Sequence, residues 1–145
     1  MSTILIIEDQ NDVRAFLAVV LQRAGFEVRE ATNGLDGFAA IEECPPDLVI
    51  TDIFMPVSDG LELIRSVRKL NLVLPIIAIS PEMPMVGLDY LPFARNLGAS
   101  AGLVKPIAPI DLLSVVSRLL NGNAILADPT ALATATEVDQ RGAGI

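Results

Sequence analysis

Five short apolar runs alternate along this chain with segments whose apolar residues recur at three- and four-residue spacing. Short apolar runs bounded by turn residues predict buried strands, and the wider spacing predicts helices with one apolar face. Consecutive parallel strands need a helical crossover, and right-handed crossovers place helices on both faces of the sheet. The predicted fold class is therefore α/β, a doubly wound five-stranded parallel sheet.

The predicted elements alternate without interruption. Strands are expected at residues 3–7, 26–31, 48–52, 75–80 and 101–104, and helices at about residues 13–24, 35–43, 61–70, 88–97 and 108–120. Asn11 or Asp12 is expected to cap the first helix, and Asp59 the third. The second strand alternates weakly and is expected near the sheet edge, and several prolines predict an irregular loop after the fourth strand.

Composition limits the class of protein. The 145 residues are 52% hydrophobic, which suits one packed domain, predicted at residues 1–121, followed by a short mobile Ala/Thr-rich tail at 122–145. Acidic residues exceed basic ones by 18 − 10 = 8, which argues against nucleic-acid binding. The absence of histidine excludes histidine triads, histidine metal sites and a phosphohistidine on this chain.

A single cysteine, Cys44, excludes an internal disulfide and fits a cytoplasmic location. No cationic leader precedes an apolar segment, and no apolar run is long enough to span a bilayer, so no contact with a membrane is expected.

Polar side chains follow four of the predicted strands at their carboxyl ends. These residues are Glu8, Asp9, Asp52, Ser80 and Lys105. Open α/β sheets bind ligands at this edge. Three carboxylates together repel one another, and oxygen ligands without histidine indicate Mg²⁺.

Such a site suits phosphoryl transfer. An ionised Asp52 can attack phosphorus to give an acyl phosphate, Lys105 can supply a positive charge, and Ser80 a hydroxyl for a phosphoryl oxygen. Each residue alone also has an ordinary structural explanation. Asp52 or the Glu8–Asp9 pair could cap the following helix, Ser80 could form a local turn, and Lys105 could be a solvated strand end.

Taken as a set, these motifs resemble the receiver domain of bacterial two-component response regulators. The resemblance covers about residues 3–120 and rests on five motifs in order: Ile7-Glu8-Asp9, Asp52-Ile53-Phe54-Met55-Pro56 with Asp59-Gly60, Ser80, Gly98-Ala99, and Lys105-Pro106. It implies the flavodoxin-like strand order 2-1-3-4-5.

The resemblance also implies roles for the site residues. Asp52 would be the phosphoacceptor, and Lys105 and Ser80 would bind the phosphoryl group. Glu8, Asp9, Asp52 and the backbone carbonyl of Phe54 would bind Mg²⁺, with Glu8 acting through water. The Lys105–Pro106 peptide bond would be cis.

Three positions depart from the family pattern. Gly102 stands three residues before the lysine, where receivers usually carry an aromatic residue that rotates inward. The interval from Ser80 to Gly98 is longer than usual and rich in proline. Phe54 stands two residues after Asp52, where polar residues are frequent, and its apolar side chain is expected to hinder hydrolytic water and prolong the phosphorylated state.

The expected function is a stand-alone phospho-accepting signal receiver, supplied by a sensor histidine kinase or a histidine phosphotransfer protein. Output is expected through an unidentified protein, through a homodimer, or through a phosphorelay to a separate histidine domain. A phosphorylation-independent interaction module remains an alternative. So does a Mg²⁺-dependent phosphatase, although such enzymes usually carry a second aspartate at the position of Phe54.

Overall fold

The computed structural model describes residues 1–55, 57–71, 73–81 and 91–121. Five strands alternate with five helices in this part of the chain. The strands are β1 (Thr3–Ile7), β2 (Glu27–Ala31), β3 (Leu48–Asp52), β4 (Ile76–Ser80) and β5 (Ala101–Val104). The helices are α1 (Asn11–Arg23), α2 (Gly34–Glu43), α3 (Gly60–Leu70), α4 (Leu91–Leu97) and α5 (Pro109–Asn121).

All strand pairs in the sheet are parallel, and the spatial order is β2-β1-β3-β4-β5. This order confirms the predicted α/β class and places β2 at one edge. Because β1, β3 and β4 are covered on both faces, their sequences are continuously apolar rather than alternating.

Each face of the sheet has its own apolar layer. On one face α1 and α5 pack against the strands, with side chains that include Leu17, Leu21, Leu112 and Val116. On the other face lie α2, α3 and α4, with side chains that include Ile41, Leu63, Ile64 and Ala94. No helix among the described residues is both long enough and apolar enough to cross a bilayer.

Two helix starts have side-chain caps. Asp59 Oδ1 accepts a hydrogen bond from the Glu62 amide at 2.8 Å, as predicted. Asn33 Oδ1 accepts one from the Asp36 amide at 2.8 Å, so α2 begins one residue before the predicted start.

The predicted cap of α1 is wrong. Gln10 occupies the cap position, because its carbonyl oxygen already accepts from the Arg14 amide at 3.0 Å, and its side chain makes no capping bond. Asn11 and Asp12 therefore lie inside the first turn, where the acidic Asp12 suits the positive end of the helix dipole.

Pro92 is the second residue of α4, in the first turn, a position that needs no amide donor. The proline-rich loop at residues 82–90 and the tail at 122–145 lie outside the described residues, so the predictions made for them remain predictions.

Candidate functional site

The strand ends meet at one edge of the sheet. Asp52 and Ser80 are the last residues of β3 and β4, and Glu8 and Lys105 directly follow β1 and β5. Because all strands are parallel and β1 and β3 are neighbours, Glu8 and Asp52 leave the sheet side by side. The topology thus collects residues separated by almost a hundred positions.

Three carboxylates form the acidic cluster of this edge. Glu8, Asp9 and Asp52 each offer one oxygen, and these atoms lie within 4.8 Å of one another. Glu8 is fully buried, Asp52 is 4% exposed and Asp9 is partly exposed. Buried charges of one sign require a compensating cation, so the cluster has the composition of a site for a hard divalent ion.

Lys105 supplies a cation from the other side. Its Nζ donates to Asp52 Oδ2 at 2.7 Å and lies 3.2 Å from Glu8 Oε1. Burial alone would lower the pKa of Lys105, but the hydrogen bond and charge of Asp52, together with Glu8, raise it above the usual value. The Lys105 side-chain amine therefore stays protonated beside Asp52.

Glu8 is the member of the cluster whose carboxylate is least well compensated by its surroundings. Burial raises its pKa to about 7; the Gln10 amide, which donates to Oε2 at 3.1 Å, opposes the shift, and the charge of Asp52 adds to it. Its Oε1 is buried and accepts no hydrogen bond from the described residues, although the Lys105 ammonium lies near. An under-satisfied buried carboxylate oxygen fits a divalent cation, directly or through water.

The backbone fixes Asp52 tightly. Its Oδ1 accepts from the Phe54 amide at 2.9 Å, and the Gly60 amide donates to the Ile53 carbonyl at 2.9 Å. A Cβ at position 60 would overlap the Asp52 carbonyl oxygen, so only glycine fits there. Phe54, which follows Asp52 by two residues, is 40% exposed.

Ser80 lies at the same edge but is engaged locally. It is 2% exposed, and its hydroxyl donates to the Pro81 carbonyl at 3.4 Å. The structure therefore brings Glu8, Asp9, Asp52 and Lys105 together, while the hydroxyl of Ser80 bonds its own loop.

Sequence reasoning missed two residues that support the cluster. Gln10 accepts from Lys105 Nζ through its Oε1 at 3.2 Å. Arg14 donates to the Glu8 carbonyl at 2.8 Å and to Glu30 Oε1 at 3.0 Å. One signal was present for Arg14, because a basic residue near a helix start opposes the helix dipole unless it has another partner.

The position of the usual aromatic residue is filled differently. Gly102 lies in β5, and a Cβ there would come within 2.8 Å of Leu91 Cδ2, so the Leu91 side chain of α4 covers this strand. The Lys105–Pro106 peptide bond is cis, as the resemblance implied.

Comparison with known proteins decides the family. A family model described as the response regulator receiver domain matches residues 4–117. The chain belongs to the response regulator receiver family. Receiver domains are signalling modules of two-component systems that interact with histidine kinases or phosphotransfer proteins and bind Mg²⁺ at an acidic pocket.

Curated relatives of this receiver domain differ in length. It is 40% identical over 125 residues to the response regulator receiver protein CpdR of Brucella abortus, covering 83% of this chain and 98% of CpdR. It is 36% identical over 141 residues to the DNA-binding transcriptional regulator NtrC of Azospirillum brasilense, covering 97% of this chain but only 28% of NtrC. The chain thus spans a small part of some relatives and nearly all of another.

Solved receiver structures share the fold. A putative response regulator from Chloroflexus aurantiacus is 32% identical, with a TM-score of 0.77 over 83% of this chain and 98% of that protein. A CheY-like receiver domain protein from Methanospirillum hungatei is 29% identical, with a TM-score of 0.77 over 84% of this chain and 95% of that one.

Proposed function

We propose that this receiver domain accepts a phosphoryl group on Asp52 from the phosphohistidine of a sensor histidine kinase or a histidine phosphotransfer protein. The observation that carries the proposal is the buried Asp52 carboxylate, with the Lys105 ammonium at 2.7 Å, inside an acidic cluster. This arrangement combines a nucleophile, a fixed cation and a candidate metal site.

Phosphoryl transfer from phosphohistidine to Asp52 needs no reactant besides these two groups. A carboxylate oxygen of Asp52 attacks phosphorus, the phosphorus–nitrogen bond to the donor imidazole breaks, and the imidazole leaves with the bonding electron pair. The product on this chain is an acyl phosphate. Lys105 faces the carboxylate that gains the negative charge, and Ser80 is proposed to exchange its bond to Pro81 for one to a phosphoryl oxygen.

The residues present fit a magnesium ion. Glu8, Asp9 and Asp52 would hold it with their carboxylates and Phe54 with its backbone carbonyl, Glu8 acting through water. When bound, Mg²⁺ would offset the charge of the carboxylates and of the incoming phosphoryl oxygens. The under-satisfied Oε1 of Glu8 supports this assignment.

We propose that the change of charge at Asp52 on phosphorylation produces the signal. Phosphorylation replaces the single negative charge of the Asp52 carboxylate with nearly two negative charges on the phosphoryl oxygens beside Lys105, and the segment that follows Ser80 is proposed to respond. The downstream protein, a homodimer or a phosphorelay would then read the new state. A cytoplasmic location belongs to the same proposal, and the exposed free thiol of Cys44 is compatible with a reducing compartment.

Incubation with acetyl phosphate and Mg²⁺ tests the proposal. We expect a mass gain of one phosphoryl group per chain, lost on chelation of the metal and in Asp52→Asn. Asp59→Asn is the matched control, because Asp59 lies in the same loop region but caps α3, and it should still be labelled. Continuous release of phosphate would instead indicate a phosphatase, and no labelling would indicate a phosphorylation-independent interaction module.

A further inference from the structure

We propose that Gln10 is a positioning residue that holds the Lys105 ammonium beside Asp52. The inference rests on the proposed function, because it concerns the rate at which Asp52 accepts a phosphoryl group. It concerns a residue outside the motif set that identified the site.

The first observation is how the ammonium is shared. Lys105 Nζ donates to Asp52 Oδ2 at 2.7 Å and to Gln10 Oε1 at 3.2 Å. It also lies 3.2 Å from Glu8 Oε1, an ion pair in which that oxygen accepts no hydrogen bond from the described part of the chain. A lysine ammonium ends a flexible four-carbon chain, and a single partner leaves it free to swing about that one bond. Two hydrogen-bond acceptors, one at the end of β3 and one at the cap of α1, restrict the ammonium more than one does, so the side-chain amide of Gln10 helps to hold the positive charge beside Asp52.

The second observation comes from helix α1 and is independent of Lys105. Gln10 occupies its cap position, where Asn, Asp and Ser are preferred because their short side chains reach the free amides. The Gln10 side chain makes no such bond. Its backbone amide donates to Glu8 Oε2 at 3.1 Å, which anchors the main chain and leaves the side chain to face Lys105.

The chemistry of an amide suits this place. The side-chain oxygen of Gln10, Oε1, accepts from an ammonium without adding a fourth negative charge to the cluster of Glu8, Asp9 and Asp52. A glutamate at position 10 would compete with Asp52 for Lys105 and would repel the incoming phosphoryl group. Gln10→Glu should therefore slow phosphorylation more than removal of the acceptor does.

Gln10→Met is the primary test, because methionine keeps the length and the backbone amide but cannot accept this bond. We expect the rate of labelling by acetyl phosphate with Mg²⁺ to fall about fivefold, as for loss of one partly exposed charge-assisted hydrogen bond. Gln22→Met, an exposed glutamine on the same helix, is the control and should leave the rate unchanged.

A double-mutant cycle separates positioning from structural damage. In a Lys105→Met background, where labelling is slower and is followed for longer, Gln10→Met should have no further effect. The same fivefold fall in both backgrounds would overturn the inference, and so would a Gln10→Met rate equal to that of the unmodified chain.

A second readout needs neither metal nor phosphoryl donor. In the metal-free protein at low temperature, the ¹H–¹⁵N signal of the Lys105 ammonium should be visible in the unmodified chain and in Gln22→Met, and broadened in Gln10→Met. An unchanged signal would contradict the inference. If the unmodified chain accepts no phosphoryl group, the proposed function fails, while this signal still decides whether Gln10 holds Lys105.

Discussion

The acidic edge of the sheet and the α4–β5 side of the molecule differ in how closely they follow the receiver pattern. At the edge, Glu8, Asp9, Asp52 and Lys105 stand together as the resemblance implied. On β5, Gly102 replaces the usual aromatic residue and Leu91 covers the strand. The comparison teaches that the carboxylates and the lysine of the acidic edge can be present where the usual aromatic residue of β5 is absent.

The two regions also differ in what surrounds them. At the acidic edge the close neighbours of Gly60 are main-chain atoms of Asp52 and Ile53. At Gly102 the neighbour is the tip of a leucine side chain, which has other rotamers available. Substitutions should therefore be tolerated poorly at the acidic edge and better on β5.

Gly60→Ala should give the largest loss of stability. Its Cβ would overlap a main-chain carbonyl that cannot turn away, and we expect the free energy of unfolding to fall by about 3 kcal/mol, the upper end for overpacking. Urea unfolding measures it. The control is Gly102→Ala on β5, where the neighbour is the tip of the Leu91 side chain, and an equal loss there would contradict the role given to main-chain contacts.

The metal-free protein should lose stability as pH rises from about 4.5 to about 7. The folded pKa of Glu8 is about 7 and its ordinary value is 4.5, so the folded state keeps a proton that the unfolded chain releases. Relative to Glu8→Gln, we expect a loss on the order of 2–3 kcal/mol across this interval.

Urea unfolding at several pH values, with and without Mg²⁺, checks the Glu8 prediction. Mg²⁺ should diminish the loss, because a cation favours the ionised carboxylate. Gly102→Ala is the control from the other region and should show the same pH slope as the unmodified chain. Identical slopes for Glu8→Gln and the unmodified chain would exclude Glu8 as the source.

Phe54→Asn should shorten the life of the phosphorylated protein. The partly exposed phenyl ring of Phe54, two residues after Asp52, is expected to hinder hydrolytic water, and asparagine would admit it. We expect dephosphorylation about threefold faster, a change of less than 1 kcal/mol in the barrier. Loss of label after removal of acetyl phosphate measures the rate, and a longer half-life in Phe54→Asn would refute the explanation.

Gly102→Ala should have the smallest effect. The added Cβ would press on the Leu91 side chain, which can shift, so we expect a loss of about 0.5–1 kcal/mol in the free energy of unfolding and no change in the rate of labelling. Combining it with Leu91→Ala should recover part of that loss in a double-mutant cycle. A strong fall in labelling would show that β5 and the acidic edge are coupled after all.

The sequence predicted what depends on local pattern. The continuous apolar runs of β1, β3 and β4 identified buried parallel strands, and Asp59 was recognised as a cap because its bond to Glu62 spans three residues. Glu8, Asp52 and Lys105 were grouped because parallel strands end at a common edge. Their assignment to metal and phosphoryl group remains a proposal.

What the sequence did not reveal depends on contacts between distant residues. The bond from Lys105 to Gln10 joins positions 95 residues apart and follows no periodicity. The cap of α1 was misplaced because Asn11 and Asp12 have better intrinsic propensity than Gln10 for that position, whereas the main chain there is already fixed by Glu8. Leu91 could not be assigned to Gly102 without the packing of α4 on β5.

The strand order has a consequence for synthesis of the chain. Glu8 and Asp52 lie at the ends of the adjacent strands β1 and β3, whereas Lys105 follows β5 and is translated after both. A nascent polypeptide whose residue 105 has not yet been synthesised has Glu8 and Asp52 without the ammonium that lies beside both carboxylates in the folded domain.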